Sequence, residues 1–512
     1  MKTPSDDLFR LIQQMTKEER RFFRHISRNL RTGEEVQELQ LFDALESADA
    51  YDEDALKLRF KEIWNSNQFA VAKNQLYNNL LHSLVFGSQD RGYRRRVRML
   101  IQQVEILYHR ELYDQCKKLL DKAAKLADQS DHPQLQLEVT EWKVRLWTVQ
   151  YFRDVPVEQF QQANQQISTL TDKLMRLSQY EEQINEMVYQ YRTSSVFQSR
   201  AQFVQMHERR INTILFTEPS LADSNPASIL FHYGHGFYHF LAGNPVKSFE
   251  HYNEIMLKLE AMPENVYDYF NFYLPIIYGH ALLALNSRNY DAAAQSIQKI
   301  EQLQVEHPSQ KTRNAYFSHI LKIEYYFATN QPDQLKSHLE TAEKRIPLLE
   351  KHLSTQEMLI FLINTGVGTY VVGDVKRALK WLVRVMQTPH LSSFQDYHFI
   401  AMVMQILFNY ELRNDDVLPS LLRSLQRWME KRERPYRMEH LLVEFITKVT
   451  AAASQKDALD LCIHYRSQFI ALDVNPEERP TSKYFDFVSW LDAQIEGVKY
   501  GDVVRRKAVL ID

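Results

Sequence analysis

Five short polar turns interrupt otherwise helical patterning at a near-constant interval: Gly243-Asn244-Pro245, Arg288-Asn289-Tyr290, Asn330-Gln331-Pro332, Gly373-Asp374-Val375 and Arg413-Asn414-Asp415. Their first residues lie 45, 42, 43 and 40 positions apart. Weaker members carry the series backwards through Ser199-Arg200-Ala201, Arg153-Asp154-Val155 and Glu111-Leu112-Tyr113, and forwards to Gln455-Lys456-Asp457. A fixed period in this range is the mark of a repeat architecture. One helix pair cannot hide both of its faces, so each pair must complete its core against its neighbours.

The segments between the turns read as amphipathic helices. After Gly373-Asp374, apolar residues at Val375, Ala378, Leu379, Leu382, Val383 and Met386 form one stripe. Small or compact residues stand five positions after the first turn residue (Cys116, Ser248, Ala293, Ala378) and seven before it (Gly236, Ala281, Gly366). Such residues let paired helices approach closely, the packing reason that a mid-helix glycine needs. Glycine is otherwise scarce: 12 in 512 residues, where ordinary usage of ~7% would give about 36. So few glycines leave no glycine-rich phosphate loop, and no HExxH or GxSxG motif occurs.

The arrangement of a small residue, a Gly-Asn or Gly-Asp turn and then a small residue resembles the tetratricopeptide repeat. Gly366/Gly373-Asp374/Ala378 and Gly236/Gly243-Asn244/Ser248 carry the likeness best. It covers roughly residues 98–475, with a period of 40–45 in place of that family's ~34. The whole chain also resembles large bacterial proteins of this kind, a likeness that lends no reaction. The resemblance implies an all-α fold: a right-handed superhelical α-solenoid of about nine helix hairpins. Its concave wall would receive a peptide or protein segment.

Residues 1–90 fall outside the period and read as a small all-helical domain. Thr16-Lys17-Glu18-Glu19 is a capping-box signature. A helix through Asn74-Gln75-Leu76-Tyr77-Asn78-Asn79 either caps the solenoid or, as the second helix of a helix-turn-helix, reads DNA bases. The solenoid then spans 91–475, and 476–512 supplies a capping helix and tail after the linker Pro476-Glu477-Glu478-Arg479-Pro480.

Lys plus Arg number 62 and Asp plus Glu 65, a net charge of −3, which argues against a polybasic binder of nucleic acid or membrane. Two cysteines, Cys116 and Cys462, exclude a disulfide framework and every CxxC metal motif. The most apolar window, Phe399 to Phe408, is about half of what a bilayer-spanning helix needs. Cytoplasm is the expected compartment.

Candidate partner-binding residues are Tyr267, Tyr269 and Tyr273, in a crowd with Phe270, Phe272 and Tyr278, and then Tyr325 and Tyr326 one repeat later. Arg91, Arg94, Arg95, Arg96 and Arg98 form a candidate patch for an anion or acidic partner. Two further basic clusters are Lys431, Arg432, Arg434 and Arg437, and Arg505-Arg506-Lys507. His235 and His239, spaced i, i+4 beside His232, are the weak metal candidates, completed only if Glu250 and Glu254 turn inward. The expectation is a non-enzymatic interaction scaffold with no cofactor or resident metal. Its rival is a transcriptional regulator with DNA-binding N-terminal helices.

Overall fold

The computed structural model describes residues 5–29, 33–87, 92–193, 207–261, 270–305, 307–432, 436–473 and 484–510, and among them it is helical with no strand. Two compact units are present: Met1–Arg91 with Leu303–Asn314, and Gly92–Gln302 with Ala315–Asp512.

The first unit holds α1 (Asp7–Gln14), α2 (Lys17–Asn29), α3 (Gly33–Glu46), α4 (Glu53–Arg59) and α5 (Ser66–Gly87). The capping box opens α2 as its sequence predicts. Thr16 Oγ1 accepts from the Glu19 amide at 3.2 Å, and Glu19 Oε2 accepts from the Thr16 amide at 2.7 Å. Leu8, Ile12, Phe23, Phe42, Phe60, Phe69, Leu76 and Leu80 share one core. The returning segment Leu303–Asn314 is tied in by the Ser309 amide, which donates to Gln14 Oε1 at 3.2 Å.

The second unit continues with α6 (Tyr93–Tyr108), α7 (Tyr113–Ser130), α8 (Pro133–Val149), α9 (Val157–Thr193), α10 (Ile214–Thr217), α11 (Asn225–Ala242), α12 (Pro245–Glu260), α13 (Phe270–Asn286) and α14 (Tyr290–Gln302). Then come α15 (Pro308–Ala328), whose residues up to Asn314 belong to the first unit, α16 (Pro332–Glu340), α17 (Ala342–Glu350), α18 (Thr355–Val371), α19 (Val375–Met386), α20 (Gln395–Glu411), α21 (Leu418–Glu430), α22 (Arg437–Thr450), α23 (Gln455–Asp473), α24 (Phe487–Glu496) and α25 (Tyr500–Leu510). Packing is chiefly between chain neighbours, as in α6 on α7, α7 on α8, α11 on α12, α12 on α13, α18 on α19 and α24 on α25.

One backbone device closes eight of these helices. Glu111, Tyr151, Gly243, Arg288, Asn330, Gly373, Arg413 and Gly497 all have φ between 52° and 89°. At each, the next residue's amide donates to the carbonyl five residues before it. Asn244 donates to His239 O at 2.9 Å, Asn289 to Ala284 O at 2.8 Å, Asp374 to Thr369 O at 3.2 Å and Asn414 to Asn409 O at 3.0 Å. The donor residue often starts the next helix: Asn244, Asn289 and Asp374 accept from the Lys247, Ala292 and Arg377 amides at 3.1, 3.2 and 3.0 Å. Two residues thus end one helix and begin its antiparallel partner.

With the link so short, the register between partners is fixed. Ser248 Oγ donates to Gly236 O at 2.7 Å, and Cys116 Sγ lies 3.6 Å from Val104 O, the same two offsets from their turns. At the equivalent positions, Ala281 and Ala293 are fully buried, and a Cβ on Gly366 would sit 3.3 Å from Trp381 Cβ and 3.8 Å from Ala378 O. Tyr252 fills the space that two glycines leave. A Cβ would come within 2.8 Å of its ring at Gly236 on α11 and 2.7 Å at Gly279 on α13.

Three features depart from a uniform 42-residue repeat. First, α9 runs for 37 residues, about 55 Å at 1.5 Å per residue, with no glycine or proline to end it. Second, the last sequence-identified turn falls at the start of a helix: Gln455 opens α23, and Ser454 Oγ accepts from the Asp457 amide at 3.2 Å. Third, the C-terminal helices fold back, α25 packing on α18. Gly501 approaches Val371 so closely that a Cβ would lie 2.1 Å from its carbonyl oxygen. The Tyr500 ring stacks on Phe485 at 5.0 Å. Half-buried Glu411 receives hydrogen bonds from Tyr370, from Trp490 Nε1 at 2.7 Å and from Gln494 Nε2 at 3.2 Å. The turn at Ser199-Arg200-Ala201 lies outside the described residues. No helix among the described residues is long and apolar enough to cross a membrane; Phe399 to Phe408 lies within α20, largely buried.

A left-handed residue other than glycine carries strain of roughly 1–2 kcal/mol, partly offset by glycine's greater freedom when unfolded. Arg413→Gly is therefore expected to stabilise the chain by about 0.5–1 kcal/mol, and Gly373→Ala to destabilise it by about 1 kcal/mol. Urea melts followed by circular dichroism check both signs.

Candidate functional site

A cavity of about 410 Å³ opens in the second unit between helices far apart in sequence. Helix α9 contributes Leu174, Leu177, Ser178 and Glu181, and α11 contributes Pro226, Ile229 and Leu230. These spacings of three and four put each set on one helical face. Phe272 of α13 closes the apolar floor, and Arg94, His132 and Gln134 form a polar side. His132 is the residue before the first turn of α8, whose first residue is Pro133.

Arg94 Nη2 lies 2.5 Å from His132 Nε2. A guanidinium only donates, so Nε2 accepts and the ring proton belongs on Nδ1. The Gln134 amide, 3.3 Å from Nδ1, then faces a second donor, so the ring accepts only one of these bonds at a time. Burial, helped by Arg94 and Arg98, pushes the His132 pKa down to about 4. At neutral pH the cavity therefore has an apolar floor, one cation in Arg94 and an exposed carboxylate in Glu181. Ser178 is exposed on its helix. The arrangement suits holding an apolar side chain with a polar neighbour.

The tyrosine candidates divide. Tyr267 and Tyr269 lie outside the described residues. Tyr273 is only 5% exposed and belongs to the core. Its neighbour Phe272 reaches the cavity and meets Tyr233 edge-on at 5.3 Å. Tyr278 packs on Phe317 at 4.7 Å, and half-buried Tyr325 and Tyr326 touch each other edge-on at 5.8 Å. A crowded aromatic row could not reveal its own inward and outward members.

The arginine candidates divide too. Arg91 lies outside the described residues, Arg95 and Arg96 are half-buried, and Arg98 is exposed on α6. Arg96 sits over the Tyr93 ring at 5.9 Å. The other basic clusters are largely tied down. Arg432, its side chain 4% exposed, pairs with Asp396 at 2.7 Å and Glu439 at 2.9 Å, while Arg434 is outside the described residues. Arg505 pairs with Asp502, Arg506 with Glu496 at 2.6 Å and Lys507 with Asp492 at 3.0 Å.

His235 and His239 share a face of α11, but their companion is a residue the sequence reading missed. His251, on α12, offers a ring nitrogen so that all three lie within 4.8 Å of one another. Glu250 and Glu254 are exposed, and neither joins this group. His232 reaches His251 instead, Nδ1 to Nδ1 at 3.1 Å. The signal was available: a register that sets Ser248 against Gly236 sets residue 251 against the 232–235 turn.

In comparisons with known proteins, no family model matches the chain, and no curated protein does.

Buried histidines make the fold acid-sensitive. Burial pushes His132, His207, His280 and His338 down to about 4 and holds His319 well below its usual value. The folded state then binds fewer protons than the unfolded one, so this stability is complete above about pH 6.5 and is lost as pH falls towards 4. For His280, hydrogen-bonded to Ser296 Oγ at 2.8 Å, the loss is on the order of 3 kcal/mol. Urea melts between pH 7 and 4 are expected to show this decline, with a shallower slope in His280→Gln.

Proposed function

We propose that the chain is a non-enzymatic protein-interaction scaffold that binds a peptide or protein segment through the cavity between α9 and α11. In this reading residues 91–475 form a right-handed superhelical α-solenoid of about nine tetratricopeptide-like hairpins, with the cavity on its concave face and residues 476–512 as a terminal cap. Packing between chain neighbours and the recurring two-residue turns support it. The observation that carries it is the cavity lining itself. An apolar floor drawn from α9, α11 and α13, with Arg94 and Glu181 at its sides, matches a site for an apolar anchor residue flanked by polar groups.

DNA binding by the N-terminal helices is the weaker reading. Lys73, the one lysine of α5, is 14% exposed and spends its charge on Glu53 at 2.8 Å and on Ser5 O at 3.0 Å. Asn79 is likewise used, donating to Glu38 at 2.9 Å. A base-reading helix needs cations near the phosphates.

Ser178 is exposed at the cavity, so Ser178→Trp fills it without touching the core. Capture of partners by cross-linking in the native cell is expected to fall at least about tenfold in this variant, with circular dichroism and melting unchanged. Undiminished capture of the same partners contradicts the assignment.

A further inference from the structure

The hairpin of α11 and α12 gathers imidazoles from both of its helices. His235 and His239 stand one turn apart on α11, and His251 faces them from α12, with a ligand nitrogen of each within 4.8 Å of the others. The rings are nearly parallel: 9° between His235 and His251, 14° between His239 and His251, and 20° between His235 and His239. A tetrahedral ion with metal–nitrogen bonds of about 2.05 Å sets its ligand atoms about 3.4 Å apart. Binding an ion therefore requires the three side chains to rotate towards one another.

One ring nitrogen of His235 and one of His251 are already engaged in the manner that orients metal ligands. His235 Nε2 lies 2.9 Å from Phe216 O. A carbonyl only accepts, so Nε2 carries the proton and Nδ1 keeps its lone pair. His251 Nδ1 meets His232 Nδ1 at 3.1 Å; with His251 donating, its Nε2 lone pair is left for an ion.

We propose that His235, His239 and His251 bind one divalent cation of the zinc class, with His232 orienting His251 and the fourth coordination position open to solvent. An all-imidazole donor set favours zinc, nickel or copper over magnesium or calcium, which take oxygen ligands. The charged groups acting on the cluster are Lys247 and Glu250 at His239, Lys247 at His251 and Lys258 at His232. Lys247 is exposed, and solvent and salt screen it.

The test is calorimetric titration of zinc chloride into the metal-stripped full chain, with cobalt(II) absorption as a second readout of coordination. One equivalent is expected to bind and to be removed by a chelator. H239Q and H251Q should each weaken binding at least about 100-fold, while H398Q, a half-buried histidine elsewhere, leaves it unchanged. Circular dichroism confirms folding, and H239Q decides the matter should H251Q not fold. Binding below one equivalent, or wild-type affinity in folded H239Q, overturns the site.

Discussion

The left-handed residue that ends eight helices of the second unit, with the hydrogen bond it permits from the next amide back across five residues, is the constraint on which its tight hairpins are built. It satisfies carbonyls that a helix end otherwise leaves without a partner. It also turns the chain so sharply that an Asn or Asp in the next position can start the following helix. A longer or looser link would let neighbouring helices slide along one another. The two-residue link does not, and Ser248 therefore meets Gly236 just as Cys116 meets Val104. That glycine fills only some of these positions explains how so glycine-poor a chain turns so often. Glu111, Arg288, Asn330 and Arg413 take the left-handed conformation at a local cost that helix packing outweighs.

Both candidate sites inherit this register. In the α11–α12 hairpin, the contact at Gly236 brings α12 close enough for His251 to reach His235 and His239, while Tyr252, one residue on, is held between Gly236 and Gly279. Core and histidine cluster thus come from adjacent residues of one helix, pointing to different sides. The α9–α11 cavity depends on the same order of packing. Leu174, Leu177 and Glu181 recur at helical spacing along α9, and α11 supplies Ile229 and Leu230 opposite them.

Much of this was legible in the residues. The turns at Gly243, Arg288, Asn330, Gly373 and Arg413 show as polar breaks in apolar stripes, and every one of these residues is left-handed. The Thr16–Glu19 box forms as its pattern predicts. Contacts distant in the chain were not legible. Nothing local to Gly501 announces that Val371 will lie against it, nor does Glu411 reveal that Trp490 and Gln494 will reach it. Tyr273 and Phe272 are adjacent and chemically alike, so only packing tells that one is core and the other lines the cavity. His251 was within reach, because the spacing that pairs Gly236 with Ser248 also places it.

The most direct measurement is residue-resolved hydrogen exchange at the amides that follow the left-handed residues: Asn244, Asn289, Gln331, Asp374 and Asn414. If these amides close the helices, they exchange as slowly as the interiors of α11, α13, α15, α18 and α20, although each lies in a surface turn. Exchange at the rate of an unstructured peptide at those positions, with the helix interiors still protected, would contradict the account.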